Sequence, residues 1–298
     1  MGTPIFSAPI LDKLNQEYEL VGVVTQLDRP SGRGQKLIQS AVKDFTSSND
    51  IPVFQPLEIN SPESLNQIKV WNPELIVVAA FGQVLKPELL TFPKYGCLNV
   101  HASLLPRWRG AAPINAAILQ GDTTTGVTIM KMAEGLDNGP ILSQKSIPIN
   151  PDDTAESLSD QLSTLGAALI IETITPYIRG EIQPSEQDHS LATHAGMLKK
   201  KDGLLDFNKP ADYLARKVRA YSPWPGSYTN WNDQRLIIHQ VSSVNVTSPG
   251  PGVFTTHEDY PAIGSVEGIL VLEYLQLAGK RKIAGDEFLI GASDWTRY

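Results

Sequence analysis

Leu75-Ile76-Val77-Val78-Ala79-Ala80-Phe81 is a continuous apolar run, followed after a helix-like stretch by Cys97-Leu98-Asn99-Val100-His101-Ala102. A run without alternation reads as a strand covered on both faces, the signature of a parallel sheet flanked by helices. Outward from it, Glu19–Thr25, Pro52–Gln55, 126–132 and 141–149 read as further strands. Leu37–Ser48, 61–70, 86–90 and 111–119 read as helices, and a long helix capped by Asp153 or Thr154 carries Leu158, Leu162, Leu165 and Leu169 at helical spacing. Alternating strands and helices predict an α/β class, a doubly wound Rossmann-like domain over residues 1–180. The polar stretch 181–202 reads as a linker. Residues 203–298 carry one helix, 211–220, and then short strands at 235–241, 252–255, 262–266 and 269–275 punctuated by Pro and Gly, with a brief helix at 285–289. That pattern predicts a small β-barrel or sandwich.

The chain has 298 residues, 25 Lys+Arg against 32 Asp+Glu for a net charge of −7, and 41% hydrophobic residues. This is a globular balance, long enough for about two domains of ~150 residues each. The acidic sum argues against indiscriminate coating of nucleic acid, because phosphate binding needs positive charge, but it leaves room for a local basic patch. The lone Cys97 cannot form an intramolecular disulfide, and a reducing, cytoplasmic setting is expected. No basic segment precedes an apolar run at the start, and the longest apolar stretches fall short of the ~20 residues of a membrane helix.

The opening is unusual. Met1-Gly2-Thr3-Pro4 is a turn that leads into a helix from Ser7, whereas a doubly wound sheet leads with a strand that feeds such a turn. Either another strand occupies the central slot, or the first strand of the first domain is missing, which would leave its neighbours unpaired and apolar surface exposed.

Nucleophile-elbow, Walker and zinc-protease motifs do not occur, and the five histidines lack metal-ligand spacing, so no metal is expected. Gly32-Arg33-Gly34 lacks the full dinucleotide fingerprint. Asn99 and His101 are better candidates. Two apart on a strand, they project from one face near its carboxyl end, where open α/β sheets bind ligands. Asp137 sits in the turn Gly135-Leu136-Asp137-Asn138-Gly139 after the next strand. The three supply a donor for an oxyanion, a proton shuttle and a carboxylate to orient the imidazole. Each alone is an ordinary structural residue; together, beside the Pro-bounded loop Ser103–Ile114 (SLLPRWRGAAPI), they form a candidate catalytic trio.

Asn99-Val100-His101-Ala102 running into SLLPRWRGAAPI, then Gly126-Val127-Thr128 and the Gly135–Gly139 turn, resembles the folate-dependent formyltransferases. Gly2-Thr3-Pro4, the loop 28–37 (DRPSGRGQKL), 219–226 (RAYSPWPG) and 277–291 (LAGKRKIAGDEFLIG) extend the resemblance over nearly the whole chain. The trio is shared by relatives that act on nucleotides and sugar nucleotides. The PRWRGAAPI extension, the DRP-x-GRG loop and the C-terminal domain are similar to the branch that acts on initiator tRNA. The resemblance departs at Ala102, a usual Gly, and at Leu27, a usual Pro.

This resemblance implies an enzyme that moves a formyl group from 10-formyltetrahydrofolate to the α-amino group of methionyl-initiator tRNA, with no membrane partner and as a monomer. It implies that the C-terminal domain is OB-like and helps hold tRNA. Asn99 and His101 would hydrogen-bond the oxyanion, and His101 with Asp137 would manage the proton. Ser103, Leu104, Leu105 and Pro106 would contact the folate, with Phe81 and Gly82 lining the same pocket. Arg33 and Lys36 of the long loop would contact tRNA. Between Lys199 and Arg219 seven bases face three acids, a local +4, and Lys280-Arg281-Lys282 adds a second cluster; with a tRNA substrate these become candidate phosphate contacts. The alternatives are a formyltransferase for a nucleotide or sugar-nucleotide amine, and a tRNA- or folate-binding protein without turnover.

Overall fold

A computed structural model describes residues 1–31 and 36–297. The chain forms two compact units interleaved in sequence. The first comprises Met1–Gly110, Thr124–Pro148 and Ser159–His194, and the second Ala111–Thr123, Ile149–Leu158 and Ala195–Tyr298.

In the first unit, strands Ile76–Val78, Cys97–His101, Thr124–Lys131 and Ile141–Pro148 lie side by side in that order. The first pair is parallel, and the last two strands run antiparallel to their neighbours. Val23–Val24 pairs in parallel with Val53–Phe54. The Glu19–Thr25 segment thus contributes only two paired residues. The stretch expected as one helix over 37–48 divides, with Lys36–Ile38 pairing against Arg29–Ser31 and helix Ala41–Ser48 following. Ser40 ends the strand and starts the helix, because its side chain accepts from Lys43 N.

One slot of the sheet holds two residues. Met1 O accepts from Ala79 N and Gly2 N donates to Val24 O, so these residues stand between Val23–Val24 and Ile76–Val78. A cavity beside them is lined by Ile10, Leu11, Leu14, Val23, Val42 and Val77, among others. Gly2 fits only because it lacks a Cβ, which would lie 2.7 Å from Ser7 Cβ and 2.9 Å from Ala79 O.

Helix Ala155–Ile178 packs against the all-buried strand Cys97–His101 at Gly166. A Cβ there would come within 2.7 Å of Val100 Cγ1. Val100 lies between Asn99 and His101, so this contact sets the depth of the site-bearing strand. The thiol of Cys97 is buried in the same strand, and desolvation pushes it up to about 12; it is a small core side chain, not a nucleophile.

In the second unit, strands Ser227–Trp231, Gln234–Val244, Ile269–Leu277, Tyr260–Gly264 and Phe254–His257 form an antiparallel sheet in that order, joined by Ile283–Ala284. Trp231, Phe254, Phe288 and Trp295 pack edge-on or tilted in its core. Ser227–Trp231 escapes a sequence reading because the prolines of SPWPG directly precede it. Helix Pro113–Gln120 belongs to this unit, where Asn115 Nδ2 donates to Ala220 O at 2.6 Å. Among the described residues no helix is long and apolar enough to cross a membrane.

Gly166→Ala gains about 1 kcal/mol of helix propensity but forces a methyl against Val100, an overpacking cost of about 1–3 kcal/mol. The expected outcome is a net destabilisation of about 1 kcal/mol in urea unfolding, accompanied by reduced turnover because the adjoining residues shift.

Candidate active site

The strand Cys97–His101 places Asn99 and His101 on one face, 8% and 6% exposed. Asp137 reaches them from the turn after Thr124–Lys131, with its backbone in the left-handed region at φ 46°. Its Oδ1 accepts from Asn99 Nδ2 at 3.2 Å, and its Oδ2 accepts from Gly110 N at 2.9 Å. The structure therefore brings the three expected catalytic residues together.

His101 Nε2 lies 2.9 Å from Trp108 O and Nδ1 lies 3.7 Å from Asp137 Oδ2. A carbonyl only accepts, so the neutral ring carries its proton on Nε2 and leaves Nδ1 as the base. When Nδ1 gains a proton, the new charge faces the carboxylate. Nε2 is thus committed to orientation, and Nδ1 is the ring nitrogen whose lone pair faces Asp137.

The expected folate-contact residues form a fastened loop. Ser103 and Leu105 are buried, with Ser103 Oγ donating to Arg107 O at 2.6 Å. Thr128 is the fastener: its hydroxyl donates to Ser103 O at 2.7 Å and accepts from Leu105 N at 3.1 Å. Gln144 Nε2 bonds both Thr128 Oγ1 and Leu105 O. Leu104 packs over Gly126, where a Cβ would come within 2.6 Å of Leu104 Cδ2 and 2.2 Å of Lys145 O. Leu104 and Pro106 are half-buried, and Leu136, beside Asp137, is 59% exposed. Leu136 thus leaves an apolar side chain in water next to the Asp137 carboxylate.

Phe81 has its ring in the core with Val24, Ile59 and Leu85, and its carbonyl accepts from Gln26 Nε2. Gly82, at φ 85°, is exposed. Arg33 lies outside the described residues. Lys36 lies in the strand Lys36–Ile38, paired with Ser31. The base of this hairpin is pinned by Asp28, which bonds Lys43 Nζ at 2.6 Å and Gln55 Nε2 at 2.9 Å; these donors hold its carboxyl below the usual range.

Basic residues of the second unit divide into two sets. Lys217 Nζ donates to Leu204 O, Arg219 Nη1 to Asp153 O, and Arg216 pairs with Asp212 at 2.7 Å. Burial holds Lys217 and Arg219 below their usual values. Lys199, Lys200, Lys201, Lys209, Lys280, Arg281 and Lys282 are exposed. Among the described residues no group of three or more His, Cys, Asp or Glu converges as metal ligands would.

Sequence reasoning missed Thr128, Gln144 and Gln187 as parts of the site. Thr128 carried a signal, since Gly126-Val127-Thr128 stands out beside the trio; Gln187 had none, lying in polar sequence.

This constellation on an α/β sheet offers hydrogen-bond donors and an imidazole–carboxylate pair, groups that suit transfer of an acyl-type carbon. A family model, Formyl transferase, matches residues 1–174, and another, Formyl transferase, C-terminal domain, matches residues 197–293. The chain belongs to the formyl transferase family. Within it, the methionyl-tRNA formyltransferase of Geobacter sulfurreducens is 44% identical over 98% of this chain and 92% of its own length. That of Bacillus subtilis is 43% identical over 98% and 93%. Among solved structures, the sugar 3N-formyl transferase WlaRD superposes with a TM-score of 0.68 at 20% identity, covering 94% of this chain and 97% of its own. A methionyl-tRNA formyltransferase from Clostridium thermocellum gives 0.54 at 17%, covering 82% and 92%.

Thr128→Val removes the hydroxyl while keeping the volume, and leaves the buried Leu105 N–H unpaired at about 1–3 kcal/mol. The expected result is a several-fold rise in KM for the folate donor with a smaller change in kcat, read from initial rates alongside a thermal melt.

Proposed function

We infer that the chain transfers the formyl group of 10-formyltetrahydrofolate to the α-amino group of methionyl-initiator tRNA. The observation that carries this is the match over nearly the full length, C-terminal unit included, to relatives named for that reaction. The site supports it with donors and a base in the required places. The setting is the cytoplasm, where the free Cys97 thiol stays reduced.

In the reaction, the methionyl nitrogen bonds to the formyl carbon, the bond from that carbon to N10 breaks, and one proton moves from the amine to N10. Asn99 uses one Nδ2 hydrogen on Asp137, and its other hydrogen is available to the oxyanion that develops on the formyl oxygen. His101 Nδ1 accepts the proton of the attacking amine, directly or through a water. The imidazolium is steadied by Asp137, and when the proton passes to the leaving nitrogen the ring returns to its neutral form. Ser103–Pro106 positions the folate through backbone groups and the apolar faces of Leu104 and Pro106. The exposed lysines of the second unit, with Arg33 and Lys36, meet the tRNA backbone, while Lys217, Arg219 and Arg216 serve the fold.

The deciding experiment supplies the purified chain with 10-formyltetrahydrofolate and either methionyl-initiator tRNA or a dTDP-linked amino sugar. Formylmethionyl-tRNA is expected. Formylation of the sugar amine alone moves the chain to the sugar branch, and no transfer to either makes it a binding protein.

Asp137→Asn keeps the shape and tolerates the left-handed backbone, so the expected outcome is a ~10²- to 10⁴-fold fall in kcat with little change in folate Kd. Comparable losses in both would show that Asp137 serves binding instead. Arg33→Ala should weaken tRNA binding, lower the slope of log K against log salt by about 0.7–0.9, and leave folate binding unchanged; binding titrations at several salt concentrations check this.

A further inference from the structure

We propose that Gln187 is a positioning residue for Asp137, setting the carboxylate against His101 from a segment that otherwise reads as a connecting stretch. This rests on the assignment of Asp137 as the catalytic carboxylate.

Gln187 is 5% exposed in a polar stretch whose neighbours, Glu186 and Asp188, are exposed. Its Nε2 donates to Asp137 O at 2.9 Å and to Gly139 O at 2.7 Å. Its Oε1 accepts from Arg109 Nε at 3.0 Å and Nη2 at 2.7 Å. Both hydrogens and both lone pairs of the carboxamide are used, so the side chain has one orientation. A buried amide satisfied at every position, two of them on the carbonyls flanking a catalytic carboxylate, is a clamp on that turn.

The turn needs one. Asp137 stands at φ 46° and Gly135 at φ 116°, so its backbone is not held by regular pairing. From the sheet side it is pressed at Gly139, where a Cβ would lie 2.0 Å from Lys131 O. Gln187 supplies the opposing hold. The segment bringing it is fastened on both sides: Ser185 exchanges two backbone bonds with Ile141 at 2.8 Å, and Thr193 O accepts from Arg109 N at 2.9 Å. Arg109, 6% exposed, is in turn steadied by His189 Nδ1 at 2.9 Å from its Nη2.

The geometry separates two functions of one side chain. Gln187→Glu keeps length and volume and still accepts from Arg109, now with opposite charge, but cannot donate to Asp137 O and Gly139 O while ionised. A structural role alone lowers the melting temperature of Gln187→Glu, because two buried carbonyls lose their donor, and leaves kcat near wild type. A positioning role gives, well below that melting temperature, an unchanged KM for the folate donor and kcat lower by at least tenfold. Gln187→Ala, which also leaves Arg109 without its acceptor, should lose stability as well.

The discriminating measurement is the double-mutant cycle with Asp137→Asn. If Gln187 acts through Asp137, adding Gln187→Glu to Asp137→Asn lowers kcat by less than threefold beyond Asp137→Asn alone. Fully additive losses, or a Gln187→Glu protein with wild-type kcat, overturn the proposal. If instead Asp137→Asn leaves kcat intact, the catalytic assignment of Asp137 fails first, and the two failures are told apart.

Discussion

A carboxylate taken out of water must find N–H groups to replace it, and Asp137 is only 15% exposed on its side chain. That requirement organises the site. Asn99 and Gly110 N answer it directly, one from the central strand and one from the loop after it. The left-handed backbone that lets Asp137 face both is unfavourable for most residues, and is tolerated here because Asp is among the few side chains that adopt it readily. Nothing in this arrangement neutralises the charge fully. His101, whose proton-accepting nitrogen stands 3.7 Å away, supplies the remainder only when it is protonated.

The parts of the fold fixed by local rules were legible in the sequence. The apolar run at 75–81 and the strand 97–101 announced the sheet, and the i, i+2 spacing of Asn99 and His101 announced a shared face. Elements that depend on distant partners were not legible. Only Val23–Val24 of a seven-residue β-like stretch found a neighbour, in Val53–Phe54, because pairing needs a second strand in register. Leu37 and Ile38 resemble the start of a helix by composition, yet pair with Pro30 and Arg29 across a hairpin. In the site, Asn99, His101 and Asp137 could be nominated because their chemistry is distinctive. Thr128 and Gln144 are common residues whose importance comes from which buried N–H and C=O they meet, and that is written in three dimensions only.

The charge of −7 takes a different meaning once burial is known. Counting bases along the chain makes 199–219 look uniformly cationic, but Lys217 and Arg219 spend their donors on carbonyls and Arg216 on Asp212. A cation whose hydrogens are already used by the protein offers a phosphate little. Arg281 is likewise paired, with Glu287 at 2.6 Å. The exposed Lys199–Lys201, Lys209, Lys280 and Lys282 remain, so the positive field that a nucleic acid could meet is narrower than the sequence suggests, and correspondingly more selective.

Trp108, Arg109 and Gly110 are consecutive, and each contributes a different atom to the same few ångströms. Trp108 O fixes the tautomer of His101, the Arg109 guanidinium holds Gln187, and Gly110 N holds Asp137. Three successive residues can point three such groups inward only if the backbone departs from strand geometry, and it does: Trp108 stands at φ 60° and Gly110 at φ 116°, the latter open in practice to glycine alone. The same chain segment begins at Asn99 and passes through Ser103–Pro106, so the loop of the proposed donor contacts is continuous with Asn99 and His101 in one stretch from 99 to 110. Thr128 and Gln144 fasten its first half to the sheet, and Gln187 and Thr193 fasten its second. Any shift of Ser103–Pro106 is therefore shared with His101 and Gly110, so in the proposed reaction the donor contacts and the imidazole would move together.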